Sequence, residues 1–461
     1  MSLIMELPKI MEESRKAYEE IVAATDQQAF AITEIIGKAS IDYERFENIV
    51  ARGDNVRFMK FLMEHRDLKG KIDLIYIDPP FFSKNNYRVE IKLESNKTKK
   101  IPMISQRAYY DTWDKGLQEY LRMLTIRLLM MKDLLAEKGS IWLHLDWHAV
   151  HYVKIIMDEI FGEENFINEI IWHYKSGGAS KRRFARKHDT LLFYSKSKDY
   201  YFLAQKEKSY NRDYKPYRFK GVKEYRDEFG WYTMVNRKDV WILDMVGRTS
   251  AERTGYVTQK PETLIKRILE SCTVEGDICA DFFGGSGTLA ATANKMGRRW
   301  ISCDIGNLAT IHTHKRLVQE GAEYLIYEEQ KEVDDQATGK IGVDISLSES
   351  HISDMDILRV ELKSYLPESL EDIPVESKYL HIIKEIIEED PLQFVAYWSI
   401  DYNYQGDINR PNAYFCKDNE GIETIYETIG LEFGDVGIKV VDIFGNSSFT
   451  VVKNKEMRKC T

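Results

Sequence analysis

Two short stretches combine residue types that could do chemistry. Residues 72–87 read IDLIYIDPPFFSKNNY: a greasy run ends in a carboxylate, Asp78, followed by Pro79, Pro80 and Phe81. Proline fixes φ and has no N–H, so such a loop is rigid and presents acceptors. The exocyclic amino group of adenine or cytosine is a poor nucleophile, because its lone pair is delocalised into the ring. A carboxylate from Asp78 and the Pro79 carbonyl, both aimed at its hydrogens, would favour a pyramidal nitrogen. A neighbouring ring can stack on an extruded base. A plain strand end capped by a stiff turn fits the motif alone equally well.

The second stretch is Asp281-Phe-Phe-Gly-Gly-Ser-Gly-Thr288, with the next strand, RRWISC, running to Cys303 and Asp304 following directly. Glycines let a backbone approach a ligand closely. An acid at the end of the second strand is placed to hold ribose hydroxyls. Together they follow the logic of an adenosine-containing cofactor in a Rossmann-like sheet. The spacing departs from the dinucleotide pattern GxGxxG, because no glycine follows Gly287 at the third position. A structural strand-to-helix turn is the alternative.

The elements that must position these residues can be read from periodicity. Ile72–Ile77 is a continuous apolar run with one Asp, which suits a strand buried on both faces of a parallel sheet. Leu117, Tyr120, Leu121, Leu124, Leu128, Met131 and Leu135 fall on one helical face, ended by Gly139. Strands are predicted at residues 140–145, 168–174 and 189–195, with a helix over 147–161 stopped by Gly162. Pro261 opens a helix over residues 262–271, a strand covers 277–281, and a helix follows Thr288 to about Met296. Strand–helix alternation at this spacing predicts an α/β sheet. Residues 8–50 read as mostly helical, and residues 83–112 as a long, lysine-rich loop. Past a boundary near 327–339, a helix at 378–390 and strands at 394–404, 436–444 and 447–452, with a hairpin at Gly445-Asn446, predict a small β-rich C-terminal domain.

Composition narrows the classes. The chain has 461 residues, 43% hydrophobic and 30% charged, enough for two or three domains. No apolar run is long enough for a membrane span, and the N-terminus lacks the pattern of a secretion signal. The five cysteines form no CxxC pair, which suggests reduced thiols in a cytoplasm. The net charge of −9 is unevenly spread: residues 331–461 carry 13 Lys+Arg against 26 Asp+Glu, and residues 1–330 carry 52 against 48. Residues 175–189, KSGGASKRRFARKHD, hold six of those cations against one acid. A basic, glycine-containing loop between strands is a good phosphate contact, which makes Lys181, Arg182, Arg183, Arg186 and Lys187 candidate DNA contacts. His144, Asp146, His148 and His151 tempt one towards a metal site. They read better as a strand end, with Asp146 as N-cap and exposed helical histidines, so no metal is assigned.

DPPF together with DFFGGSGT resembles the catalytic and cofactor motifs of S-adenosylmethionine-dependent amino-methyltransferases acting on DNA. The catalytic motif comes first, as in the β group of these enzymes, whose members include the modification subunits of type III restriction–modification systems. The blocks GDNVRFMKFL, KGSIWLHLD, MDEIFGEENFINEIIWHYKSGG, HDTLLFYSKS and ERTGYVTQKPETLIKRIL extend the likeness over about residues 50–317. The resemblance implies a Rossmann-like methyltransferase domain in two pieces, residues 51–197 and 246–330. It also implies a target-recognition region at 198–245, between a helical N-terminal segment (1–50) and the acidic C-terminal domain (331–461).

The resemblance also implies roles. Asp78, Pro79, Pro80 and Phe81 would hold the target amino group and base. Phe283, Gly285 and Gly287, in the motif begun by Asp281, would cradle the methionine part of S-adenosylmethionine. Asp304 would take the ribose, Asp54 would lie near the adenine, and Lys260 and Pro261 would border the cofactor pocket. Phe282 stands where the family usually has Pro, and Phe81 where Tyr is commoner. The activity implied is transfer of a methyl group to adenine N6 in double-stranded DNA. The alternatives are a cytosine-N4 enzyme or a catalytically inactive DNA-binding specificity subunit. The partners implied are DNA and, through the acidic tail, a restriction subunit or a second copy of the chain.

Overall fold

The computed structural model describes the chain except residues 1–2, 25–28, 40–47, 95–100, 102, 176–179, 331–338, 350–354, 369–372, 374–376, 419–420 and 461. Its centre is a ten-stranded sheet in the order Phe30–Ile36, Tyr324–Glu329, Ile49–Arg52, Arg299–Asp304, Ile278–Asp281, Ile72–Ile77, Leu135–Leu145, His188–Ser195, Phe166–His173, Val240–Ile242. The six strands from Tyr324–Glu329 to Leu135–Leu145 are all parallel. They read as unbroken apolar runs because helices cover both faces. Helices Leu3–Ala23, Asn55–His65, Leu117–Leu134 and Val150–Phe161 close one face, and Glu262–Cys272 and Thr288–Lys295 pack on the other.

The arrangement solves one spacing problem. Asp78 and Asp281 lie far apart in sequence, yet their strands are immediate neighbours, with Cys279 opposite Leu74 and Ala280 opposite Ile75. Parallel neighbours end at the same edge, so both motifs leave the sheet side by side, where open α/β sheets bind ligands.

Several expectations change. Residues 8–50 are not mostly helical: after the helix Leu3–Ala23, both Phe30–Ile36 and Ile49–Arg52 are strands. The partner of Phe30–Ile36 is Tyr324–Glu329, so no local pattern announces it. Residues 83–112 are not one long loop. Asn86–Ile91 and Ile104–Tyr110 pair antiparallel into a ribbon, with alternate exposure along Asn86–Ile91. The helix expected to run to Gly139 stops at Leu134, and the next strand begins at Leu135. Asp146 does not cap the following helix, which starts at Val150. Its carboxylate instead accepts the His148 N–H at 2.8 Å and lies against His148 Nδ1 at 2.7 Å. Of the histidines read there as exposed, His148 is only half-buried.

Residues 198–245 carry a three-stranded antiparallel sheet of Lys206–Tyr210, Trp231–Asn236 and Glu224–Arg226, while Val240–Ile242 joins the edge of the main sheet. The C-terminal region holds two four-stranded sheets and the helix Leu380–Glu389. Its core also takes in Ile104 of the ribbon and Leu93, just past the ribbon's first strand. Gln106 Nε2 donates to the Phe444 carbonyl at 2.9 Å. Buried Lys439 ion-pairs with buried Glu34, and Asn409 Nδ2 donates to the same carboxylate at 3.1 Å. The acidic domain is therefore keyed into both the sheet and the ribbon. No helix among the described residues is long and apolar enough to cross a membrane.

Candidate active site

A cavity of about 460 Å³ opens at the carboxyl edge of the parallel strands, a size suited to a small-molecule ligand. Asp78, Pro79, Pro80, Phe81, Asp54, Lys260, Asp281, Phe283, Gly285 and Asp304 line it, so the two motifs share one space. Gly287 and Pro261 do not reach the lining. Gly287 sits in the left-handed region (φ +69°) and precedes the helix Thr288–Lys295, where an added Cβ would stand 2.8 Å from the Thr313 side chain. Pro261 precedes the helix Glu262–Cys272, and the Lys260 carbonyl accepts from Thr288 Oγ1 at 3.1 Å, tying that turn to the glycine turn.

One wall is made largely by backbone. The Asp281 carboxylate accepts the Phe283 N–H at 2.9 Å. Asp304 bridges the Gly285 N–H at 2.9 Å and the Gly306 N–H at 2.7 Å. Gly285 has φ +53°, and a Cβ there would press on the Tyr256 ring at 3.4 Å. Burial pushes the Asp281 carboxyl well above the usual carboxylate range, opposed by the Phe283 N–H and reinforced by the charges of Asp78 and Asp304. Burial raises Asp304 as well, against the N–H groups that it accepts. Asp54 caps the helix Asn55–His65 by accepting from Val56 and Arg57 N–H, and its other oxygen meets Arg127 at 3.2 Å. Asn55 Nδ2 holds the Phe282 carbonyl at 2.7 Å, while the Phe282 ring is fully buried in the core. The residue that replaces the usual proline thus packs its ring into the core at the edge of the cavity, which it also lines.

The other wall carries Asp78. Its Oδ2 is ion-paired with Lys260 Nζ, so Lys260 serves the carboxylate as well as lining the pocket. Its Oδ1 is buried and has no hydrogen-bond partner. A buried acceptor left unmatched is costly, and Asp78 itself lines the cavity together with Phe81 and Pro79. After Phe81 the chain turns through two left-handed residues, Phe82 and Lys84, both at φ +62°. Fully buried Asp111, at the end of the ribbon, holds this turn. Its carboxylate accepts the N–H of Phe82 at 2.8 Å, the N–H of Ser83 at 2.7 Å and the Ser83 hydroxyl at 2.6 Å. Tyr87, Ala108 and Tyr109 of the ribbon complete the wall, with the two tyrosine rings stacked at 4.7 Å.

Sequence reasoning missed Asp111, Arg127, Tyr256, Tyr87, Tyr109 and His144. Tyr87, Tyr256 and His144 fall within stretches quoted above but were given no role in this chemistry, and Asp111, Arg127 and Tyr109 fall in none. The one available signal was the alternation in residues 86–91, which pointed to a strand close behind DPPF. The basic loop lies outside the cavity. Lys181, Arg182, Arg183 and Arg186 are exposed, as is Phe184 among them at 99%. The Arg186 guanidinium lies 3.4 Å from the Trp147 ring centroid. Residues 176–179 of that loop are outside the described set. Among the described residues, no group of three or more His, Cys, Asp or Glu is placed to hold a metal ion. Cys272, Cys279, Cys303 and Cys416 are free thiols.

A family model described as DNA methylase, of the N6/N4 type, matches residues 72–310. The type II methyltransferase M2.DpnII of Streptococcus pneumoniae is 26% identical over 268 residues, covering 57% of this chain and 86% of its own length. Type II methyltransferase M.HinfI of Haemophilus influenzae is 26% identical over 273 residues, covering 56% of this chain and 65% of its own. Among solved structures, the M1.HpyAVI–SAM complex aligns with a TM-score of 0.37 at 19% identity over 58% of this chain and 98% of its own. PvuII DNA methyltransferase (cytosine-N4-specific) aligns at 0.38 and 15% over 58% and 86%.

Proposed function

The chain belongs to the N6/N4 family of DNA methylases, and we propose that it transfers a methyl group from S-adenosylmethionine to the N6 amino group of adenine in double-stranded DNA. The observation that carries this reading is Asp78, with one carboxylate oxygen unpartnered, lining the same cavity as the glycine turn. The cavity fits the cofactor: the glycine turn at Gly285, the carboxylates of Asp54 and Asp304 and the apolar side chains of Phe283, Tyr256 and Ile305 all line it. In this assignment Phe283, Gly285 and Asp281 hold the methionine part and Asp304 the ribose. Asp54 lies toward the adenine, while Gly287 and Pro261 shape the turn from behind. When bound, the cofactor supplies a sulfonium-activated electrophilic methyl group.

The chain's own residues then do the rest. Lys260 fixes Oδ2 of Asp78, so Oδ1 is the acceptor offered to an amino hydrogen, with the Pro79 carbonyl beside it. Phe81 gives the extruded base a stacking face. Exclusion of water and fixed orientation supply much of the rate. The acid at the first motif position favours adenine, because the cytosine-N4 enzymes this motif resembles often carry Ser there. Lys181, Arg182, Arg183, Arg186 and Lys187 are proposed to grip the DNA backbone, and residues 198–245 to read the target. A cytoplasmic restriction–modification system is the proposed setting, with a second copy or a restriction subunit docking on the acidic domain. Sedimentation of the purified chain tests for the second copy: a monomer at all concentrations would remove it.

Asp78→Ala tests the reading. It should lower methyl transfer by about 10³-fold or more while calorimetric binding of S-adenosylmethionine is unchanged. Equal loss of both would contradict the assignment of Asp78 to the substrate.

A further inference from the structure

The proposed reaction leaves a proton to be placed. A methylated amino nitrogen must shed one, and Asp78 Oδ1 is sealed from solvent. Behind it stands His144, itself fully buried. His144 Nδ1 is 3.7 Å from Asp78 Oδ1 and 2.9 Å from the Tyr76 hydroxyl. Its Nε2 is 3.2 Å from Asp189 Oδ2, and Asp189 Oδ1 accepts from the Tyr174 hydroxyl at 3.0 Å. The rings of Phe81 and Trp172 flank the imidazole, with centroids at 5.6 and 5.4 Å.

This arrangement sets the tautomer. The Asp189 carboxylate takes the Nε2–H. The Tyr76 hydroxyl, raised well above its ordinary value by burial and nearby carboxylates, stays protonated and donates to Nδ1. With Nε2–H turned to Asp189, Nδ1 carries no hydrogen: its in-plane lone pair takes the Tyr76 O–H, and Asp78 Oδ1 stands 3.7 Å away. The ring offers Oδ1 no hydrogen, which is why that oxygen stays open.

We propose that His144, oriented by Asp189, is the positioning residue that keeps Asp78 Oδ1 free and then takes the proton that Asp78 receives from the methylated amino group. This rests on the amino-group chemistry proposed for Asp78. The N–H bond of the substrate breaks as the Asp78 O–H bond forms. That O–H bond then breaks as the Nδ1–H bond forms, and the Tyr76 hydroxyl turns from donor to acceptor. Charge pairing gives the direction. A proton resting on Asp78 leaves Lys260 without its counter-charge. The same proton on His144 restores the Lys260–Asp78 pair and sets an imidazolium against Asp189. The charged and titratable groups facing the ring are then Asp78, Asp189, Tyr76 and, through Asp78, Lys260. The placement follows the acid–imidazole logic by which a buried carboxylate supports a transient imidazolium, here behind a carboxylate in place of a hydroxyl.

The test uses His144→Gln and Asp189→Asn in the full chain, each checked by thermal unfolding, so that a folding failure of one leaves the other. Single-turnover methyl transfer is measured against pH beside equilibrium binding of DNA and of S-adenosylmethionine. Transfer should fall about 10- to 100-fold in each, the acid limb of the pH profile should change, and both affinities should hold. The double variant should be no slower than the worse single one. Wild-type rate and pH profile in a folded variant would overturn the relay, as would affinities that fall in step with the rate. A wild-type protein that transfers no methyl group to DNA would instead overturn the proposed function itself.

Discussion

The two walls of the cavity are built on opposite principles. The glycine-turn wall is local: Asp281 meets Phe283, and Asp304 meets Gly285 and Gly306, all through backbone N–H groups of nearby chain. The Asp78 wall is assembled from afar. Asp111 holds the turn after Phe81, Lys260 holds the carboxylate, and the C-terminal domain holds the ribbon. A local wall can be written in a motif. An assembled one gives the short motif only its reactive end and scatters the supports over the chain.

If the walls are separate in function as well as construction, each should fail alone. Asp111→Ala removes the carboxylate that satisfies three donors of a left-handed turn. Turnover should fall on the order of 100-fold, with S-adenosylmethionine affinity, measured by calorimetry, unchanged. A matching loss of affinity would merge the two walls into one. Gly287→Val puts a branched side chain at φ +69°, against Thr313. It should weaken cofactor binding about 10-fold and lower stability by about 1–3 kcal/mol, while DNA affinity stays the same. Replacing Lys181, Arg182 and Arg183 together by Ala touches neither wall. The salt dependence of DNA binding should flatten by about 0.9 per lost phosphate contact, and KM for DNA should rise about 5-fold at unaltered kcat; a fall in kcat would tie the loop to the chemistry.

The smallest effect concerns the seam between the sheet and the acidic domain. His314 is buried there, its ring stacked on Tyr397 at 4.5 Å and its Nδ1 2.9 Å from the Tyr324 hydroxyl. Burial, helped by the Lys439 charge, lowers its pKa to about 3. The unfolded chain takes up this proton near pH 6.5 and the folded one does not, so folding stability falls as pH drops below about 6.5. The slope approaches about 1.4 kcal/mol per pH unit for this one group. Denaturant titrations at pH 7.5 and pH 5.5 check it: the midpoint difference should shrink in His314→Gln, and an unchanged difference would place the acid sensitivity elsewhere.

The same contrast explains what was legible in the sequence. Buried parallel strands are continuous apolar runs, so Ile72–Ile77, Ile278–Asp281 and Arg299–Asp304 could be read directly, and with them the residues at their ends. Phe30–Ile36 could not, because its FAITEII pattern carries a buried glutamate. Glu34 makes sense only beside Lys439 and Asn409, from the far end of the chain. The ribbon was hidden by the lysines between its strands, at positions 92, 97, 99 and 100. Its first strand is exposed on alternate residues, and Ile104 of its second is covered by the core of the C-terminal region. Asp111 carried no signal, and His144, weighed only as a metal ligand, was not tied to Asp78, for the same reason. Each acts through a partner that only the folded chain brings near.

The measurement that bears most directly on the whole account is transfer of labelled methyl from S-adenosylmethionine to unmethylated duplex DNA by the purified chain, followed by identification of the labelled nucleoside. The account predicts label in N6-methyladenine and in no ring carbon. Label in N4-methylcytosine, or no label from a folded protein that binds the cofactor, would contradict it.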